Sequence, residues 1–391
     1  MVRPGENDAL AWLKTVEQWL KRMAEEGSFY GPHVIAAPAG ERREMLASDR
    51  RYRSYGTLMF LLDYAHENIE VWPEDVYELV AMILPFVDSV DSPVPMYRDR
   101  VRGTAWKERG NTLFSRDIGE AKNAAGNACH IFNQHAGLAE DLAKAELLRA
   151  KIARELGNTG YALWLARKSA RTFHEFGDAR YYNIARTIEA WIFFGLKQFR
   201  AAYDIVCDLV EKAERAGDEL ALGYALHFAG ACARELGDLT SARSLRGRAL
   251  EHLERVKAPP GEMPRIRWEH ALALAAEGLV GEAIFELYKV RSELLRYGKI
   301  ISAATAGLDI VRLRFERGED VTTTASELVT TFAEAGLTPN AMEALAYVRA
   351  RAQAQALTVR QITVARDFFK VLEREPARVF LPPPGDSWEG R

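Results

Sequence analysis

The chain has 391 residues, 48% of them hydrophobic and 27% charged, a balance that excludes a disordered or fibrous protein and suits a soluble folded one of two or three domains or one long repeat array. Its 52 basic and 55 acidic residues leave a net charge of −3, which argues against a general nucleic-acid binder, because such proteins carry a basic excess. The three cysteines, Cys129, Cys207 and Cys232, are odd in number and far apart, so a disulfide framework is excluded and a reducing compartment is expected.

Residues 7–26, "NDALAWLKTVEQWLKRMAEE", place Leu10, Leu13, Val16, Trp19, Leu20 and Met23 on one stripe and predict an amphipathic helix. It suits a cap over a terminal core, with a docking helix for a partner as the other reading. Acidic residues interrupt the opening stretch where a signal peptide needs an apolar core. The best apolar run, "AWIFFGL" at 190–196, is far too short to span a membrane, so a cytoplasmic protein is expected. Residues 27–40, "GSFYGPHVIAAPAG", read as a surface loop packed by Phe29, Tyr30 and Val34. Two helices are expected next, over 44–67 and 73–90, with Pro73 in a first-turn position. Residues 1–100 thus form a cap and a degenerate leading repeat. The charge run "RDRVRGTAWKERG" (98–110) reads as a solvated helix face.

From about residue 101 the sequence repeats. Turn positions fall at Arg116, Gly157, Lys197, Gly237, Gly278 and Gly318, spaced 41, 40, 40, 41 and 40 residues apart. The first five are followed, five residues on, by Ala121, Ala162, Ala202, Ala242 and Ala283; after the sixth, Thr323 stands at that offset and Ala325 follows. A second series, Gly137, Gly177, Gly217, Gly298 and Gly336, marks the far end of each unit, with "KAPPGEMP" replacing the member near 257. Two glycine series sharing one period indicate a solenoid of helix pairs over 101–340. The first helix of each pair carries apolar residues at helical spacing, such as Phe228, Cys232 and Leu236, or Ile188, Ile192 and Leu196. Glycine ends it in the left-handed conformation, and Asp238 or Thr240 can cap the next helix. The alanines after the turns face Ala150, Ala190, Gly230 and Ala271, which lie seven residues before the turn positions, as tight antiparallel pairs need. Two closing helices are expected over 341–375. The tail 376–391 contains Pro382–Pro384, an extended segment that frays, docks a partner, or folds back through Val379, Phe380 and Leu381.

The phrase small–x6–Gly–x4–Ala, written "GACARELGDLTSA" (230–242), "AKIARELGNTGYA" (150–162) and "ALALAAEGLVGEA" (271–283), resembles the tetratricopeptide repeat in a longer, 40-residue form. That form is similar to the repeat arrays of bacterial regulators, including STAND-type sensor arrays and quorum-peptide receptors. The resemblance implies an all-α, TPR-like solenoid of antiparallel helix pairs wound as a right-handed superhelix. The tail resembles the ending of bacterial repeat proteins encoded near sigma factors, but the N-terminus lacks the Cys/His cluster of their zinc modules, so that activity is not implied.

Motifs for chemistry are missing from the sequence. It has no P-loop and no dinucleotide fingerprint, and "HEFGD" at 174–178 lacks the second histidine of a zinc protease. Cys129, His130 and His135 would share one helix and point apart, and Cys207 and Cys232 read as core packing. No cofactor, no metal and no enzymatic activity are expected. The resemblance instead implies a binding surface on the first helices. Its groove-lining positions are Lys144, Leu147, Lys151 and Arg154; Ile184, Thr187, Trp191 and Phe194; Tyr224, His227, Ala231 and Arg234; Arg265, Trp268, Leu272 and Ala275; and Thr305, Leu308, Arg312 and Phe315. Six of the twenty are Lys or Arg and none is acidic, with aromatics between them. The expected partner is a protein or peptide with an acidic segment and apolar anchors, steered by the basic residues and held by Trp191, Phe194 and Trp268. The expected role is an interaction scaffold or regulatory subunit, or alternatively a sensor whose solenoid changes shape on binding a ligand.

Overall fold

The computed structural model describes residues 6–69, 72–256, 258, 263–372, 375 and 378–383, and all of its regular structure among these is helical. The interruption near 257 and the tail beyond 383 lie largely outside the described residues, as does the Leu10 side chain. Contacts divide the chain into two compact units, 1–205 and 206–391.

The local rules of the repeat hold residue by residue. Gly157, Gly237, Gly278 and Gly318 have φ between 76° and 85°, and Gly177, Gly217, Gly298 and Gly336 between 65° and 79°. Each lets the following amide reach back over the helix end, as Asp238 N–H does to the Ala233 carbonyl at 3.0 Å. Where the residue after the turn is Asp or Asn it then caps the next helix: Asp238 accepts from Ser241 N–H at 3.0 Å, Asp218 from Ala221 at 3.0 Å, Asp178 from Tyr181 at 2.9 Å and Asn158 from Tyr161 at 3.3 Å, while Leu279 and Lys299 give no side-chain cap. Thr240 is not the cap. Ala121, Ala162, Ala202, Ala242 and Ala283 are wholly buried, as are Ala150, Ala190 and Ala271 opposite them. Leu196 and Leu236, expected in the core, are exposed, because each occupies the position that closes its helix. Arg116 and Gly137 do not take the left-handed conformation; their turns are made by 3-10-type bonds such as Arg116 N–H to Leu113 O.

In the first unit, α1 (Glu6–Ala36) packs on α3 (Tyr55–Asn68). The helix runs through the segment expected to be a loop. Gly27 and Gly56 explain this: a Cβ on Gly56 would lie 1.6 Å from the Met23 carbonyl oxygen, and one on Gly27 2.6 Å from that of Gly56. Gly27, expected in a loop, and Gly56, expected inside a helix, form the contact surface of two touching helices. Val34 is buried there and Phe29 is exposed. The helix expected over 44–67 is two: α2 (Ala39–Ser48) ends before a turn, and Ser54 caps α3 through Thr57 N–H at 3.3 Å. Pro73 opens α4 (Pro73–Ile83), and a 3-10 turn, Leu84–Ser89, leads to α5 (Pro95–Leu113). Then α6 (Ile118–Phe132), α7 (Ala139–Glu155), α8 (Thr159–Phe176) and α9 (Ala179–Gly195) follow, and α10 (Phe199–Ala216) runs into the second unit. Helices α3, α5, α7 and α9 lie side by side as one wall, with α6 and α8 packed against it.

In the second unit, α11 (Glu219–Glu235) pairs with α12 (Leu239–Arg255), and α13 (Met263–Ala276) with α14 (Val280–Arg296), which also packs on α15 (Ile300–Glu316). Helices α16 (Thr322–Glu334) and α17 (Pro339–Gln353) pack together, and α18 (Val359–Leu372) lies on α15. The segment after α18 folds back through one residue: Phe380 is buried against Tyr347 and Phe368, while Val379 and Leu381 are exposed. Among the described residues no helix is long and apolar enough to cross a membrane.

Candidate functional site

The wall of the first unit contains a polar cavity of about 300 Å³. Its lining comes from four consecutive wall helices: Tyr55, Met59, Asp63 and His66 of α3, Arg100, Thr104 and Lys107 of α5, Asp141 and Lys144 of α7, and Tyr181 of α9. Most of α5's contribution lies in the charge run expected to face solvent. The structure corrects that expectation: Asp99, Lys107 and Glu108 are all buried, because α5 sits between α3 and α7.

The buried charges pair on the spot. Lys107 Nζ lies 2.6 Å from the Glu108 carboxylate, and His66 Nδ1 is 3.3 Å from the same group. Asn111 donates to it at 2.7 Å. Burial alone would push the Glu108 carboxyl up, but Lys107 and then His66 outweigh it and hold it below the usual range. Burial would likewise lower Lys107, and Glu108 turns the shift upward. Arg100 Nε meets Asp141 at 3.0 Å, Lys144 Nζ meets Glu140 at 2.5 Å, and the same ammonium lies 4.5 Å from the centre of the Tyr181 ring. The Tyr181 hydroxyl is 3.4 Å from His66 Nε2. Asp63 stands apart: the residue is exposed, but desolvation where it lines the cavity pushes its carboxyl up against the pull of Lys107, and no hydrogen bond or ion pair holds it among the described residues. The cavity therefore offers fixed cations, aromatic edges and one uncommitted carboxylate, a set suited to orienting a polar ligand.

Of the residues expected from sequence to bind a partner, only Lys144 lines this cavity. Lys151 is exposed on α7, and Arg154 is paired with Glu155 at 2.5 Å. Trp191 and Phe194 are half-buried and meet edge to face at 5.8 Å. On the second unit, Tyr224 packs beside Leu253 and Ile266. His227 is buried and pairs with Glu269 at 3.0 Å, which Arg265 also approaches at 2.9 Å. Arg234 pairs with Glu235 at 2.5 Å and Arg312 with Glu316 at 3.1 Å. Trp268 donates its indole N–H to Asp309 at 2.9 Å, and Arg366 of α18 binds that wholly buried carboxylate at 2.6 Å. Leu147, Ala231, Thr305 and Leu308 are core rather than groove. The basic positions thus do not form a bare basic surface, because carboxylates one residue or one helical turn away pair with Lys144, Arg154, Arg234, Arg265 and Arg312.

Cys129 and Cys232 are buried, and burial pushes their thiols up to about 11 and about 12. His135 lies beyond the end of α6, not on it, and meets Asp99 at 2.8 Å. No group of residues able to hold a metal occurs among the described residues.

No family model matches the chain, and no curated protein matches it in sequence. Solved structures do match its fold. RapI in its apo form is 13% identical with a TM-score of 0.54, covering 93% of this chain and 99% of its own. NprR in complex with its cognate peptide NprX is 12% identical with a TM-score of 0.51, covering 95% and 99%. The STAND protein PH0952 from Pyrococcus horikoshii, described as having a tetratricopeptide repeat sensor, is 13% identical with a TM-score of 0.55, over 90% of this chain and 53% of its own. The chain has an all-α, TPR-like repeat fold similar to those of RapI, NprR and the STAND protein with a tetratricopeptide repeat sensor.

Proposed function

We propose that the protein is a non-enzymatic regulatory scaffold of the cytoplasm that binds a peptide or protein segment on the first helices of its repeats. The cavity on the α3–α5–α7–α9 wall carries this reading, because four successive repeats converge on it and its charges are fixed before any ligand arrives. The fold neighbour NprR, solved with a cognate peptide, supports a peptide as ligand. Trp191 and Phe194 supply apolar anchor points, and an acidic segment would engage Arg234 and Arg265 by exchanging with Glu235 and Glu269. Cations already matched to carboxylates suit recognition rather than proton transfer.

Affinity purification of the tagged protein from its own cells, followed by mass spectrometry, tests the proposal. Wild type should recover one stoichiometric partner, and Lys144→Glu with Tyr181→Ala should reduce recovery at least tenfold with the helical signal intact. Arg234→Glu with Arg265→Glu asks the same of the second unit. Undiminished recovery by both folded double variants would sink the proposal. A sensor that changes shape, the reading favoured by the STAND neighbour, would in addition alter its X-ray scattering profile when the partner is added.

A further inference from the structure

The repeat itself shows where the second unit departs from its own rule. Four residues after each paired alanine, the second helix turns a side chain into the layer between first helices. At four of the five pairs that residue is Ala125, Ala166, Val206 or Leu287, each buried and apolar. In the α11–α12 pair it is Arg246, 1% exposed. Space is made for it by Gly230 of α11, where a Cβ like those of the matching Ala190 and Ala271 would lie 2.8 Å from Arg246 Cγ.

The guanidinium at the end of that side chain is not satisfied. Its Nε and Nη1 are buried and meet no hydrogen-bond acceptor, and no ion pair reaches it among the described residues. Burial lowers its pKa, and the charge of Arg234 lowers it further. On α13, His270 is pushed toward its neutral form by burial and by Arg246 and Arg243, against Glu286, and its Nδ1 is likewise buried without a hydrogen-bond partner. The carboxylates within electrostatic reach are Glu269, Glu277 and Glu235, but none bonds to Arg246, and Glu269 and Glu235 are held by His227, Arg265 and Arg234. Glu269 and Glu277 are half-exposed and Glu235 is exposed. A buried guanidinium with unused donors is costly, while a leucine or valine at this position is what the fold otherwise uses. An arginine kept here at the expense of stability fits a group that an anion completes.

We infer that Arg246, with Arg234 and His270, forms a binding site for an oxyanion, a carboxylate or a phosphate, on the second unit. The planar fork of arginine matches both groups with paired hydrogen bonds. The site needs only the anionic group, whether free or carried on a bound segment; it stands apart from the cavity of the first unit and shares only Arg234 with the acidic-segment reading of the second.

The test compares wild type with Arg246→Leu, the residue of the neighbouring pair, in thermal unfolding at constant ionic strength. The probes are inorganic phosphate and two capped tripeptides, Ac-Gly-Glu-Gly-NH2 and its glutamine counterpart. Without probe, the variant should melt several degrees above wild type. With phosphate, or with the glutamate but not the glutamine peptide, wild type should gain stability and the variant should not. Phosphate alone acting would identify a free anion as the ligand, and the glutamate peptide acting would identify a carboxylate on a segment. A variant that melts below wild type would give Arg246 a structural partner and overturn the inference. So would equal shifts in both proteins, the mark of general salt stabilisation, or no shift in wild type with any probe.

Discussion

Both units bury charge, and they handle it in opposite ways. Among the described residues of the first unit, the deeply buried carboxylates Glu108, Glu146 and Glu189 each have a cation: Glu108 has Lys107 and His66, Glu146 has Lys168 at 2.5 Å, and Glu189 lies between Arg167 and Arg186. In the second unit Asp309 is equally well served by Trp268 and Arg366, but Arg246, as deeply buried, has none. Fully paired charge inside a repeat array fixes which helices lie together and keeps polar groups in place around a cavity. Unpaired charge fixes nothing and lowers stability, so its presence needs a reason outside the folded chain.

The largest expected effect comes from breaking a satisfied pair. Glu108→Ala leaves Lys107 buried without its carboxylate and should cost about 3–5 kcal/mol in urea unfolding. The double variant Lys107→Met, Glu108→Leu removes both charges and should recover most of that loss, since neither desolvated ion remains. If the double variant is as unstable as Glu108→Ala, the pair's cost lies in packing rather than charge, and the contrast with Arg246 weakens.

The same pair gives a pH dependence of smaller size. Glu108 has a folded pKa below its unfolded value of about 4.3, so its contribution is present above that pH and is lost as pH falls through the folded value. Lys107 has a folded pKa above its unfolded value of about 10.4, so its contribution is present below that pH and is lost as pH rises through the folded value. Wild type should therefore lead Glu108→Ala across the interval between the two, and the gap should narrow as acid moves below pH 4. A gap that stays constant down to pH 2 would mean the Glu108 carboxylate is not held in its charged form by Lys107 and His66.

What could be read from sequence follows from how local each cause is. Gly237, Asp238 and Ala242 act within one turn of themselves, so their spacing alone locates the helix pairs. Gly27 and Gly56 act on each other across 29 positions; read alone, Gly27 suggests a loop and Gly56 gives no sign of a close contact. Lys107 and Glu108 are neighbours in a run of charges, the ordinary mark of a wet surface; only the flanking of α5 by α3 and α7 buries them. Groove positions on first helices alone include Lys144 and Arg234 and leave out Arg246, which comes from a second helix beside Gly230. A signal was available: aligning the second helices on their alanines sets Arg246 against Ala125, Ala166, Val206 and Leu287.

The matched turns of the two units give the smallest and cleanest comparison. Lys197 of the first unit has φ of 59° and Gly237 of the second 85°, and both support the same reach-back bond, Gln198 N–H to Phe193 O at 2.9 Å and Asp238 N–H to Ala233 O at 3.0 Å. Only the lysine pays for a Cβ in the left-handed region. Lys197→Gly should therefore stabilise the protein and Gly237→Ala destabilise it, each by about 1 kcal/mol, because no side-chain contact is lost at either exposed position. Denaturant midpoints that move in opposite directions with unchanged slopes would confirm that one backbone rule governs both turns. If Lys197→Gly lowers the midpoint instead, the lysine side chain contributes something at that turn that outweighs its backbone strain.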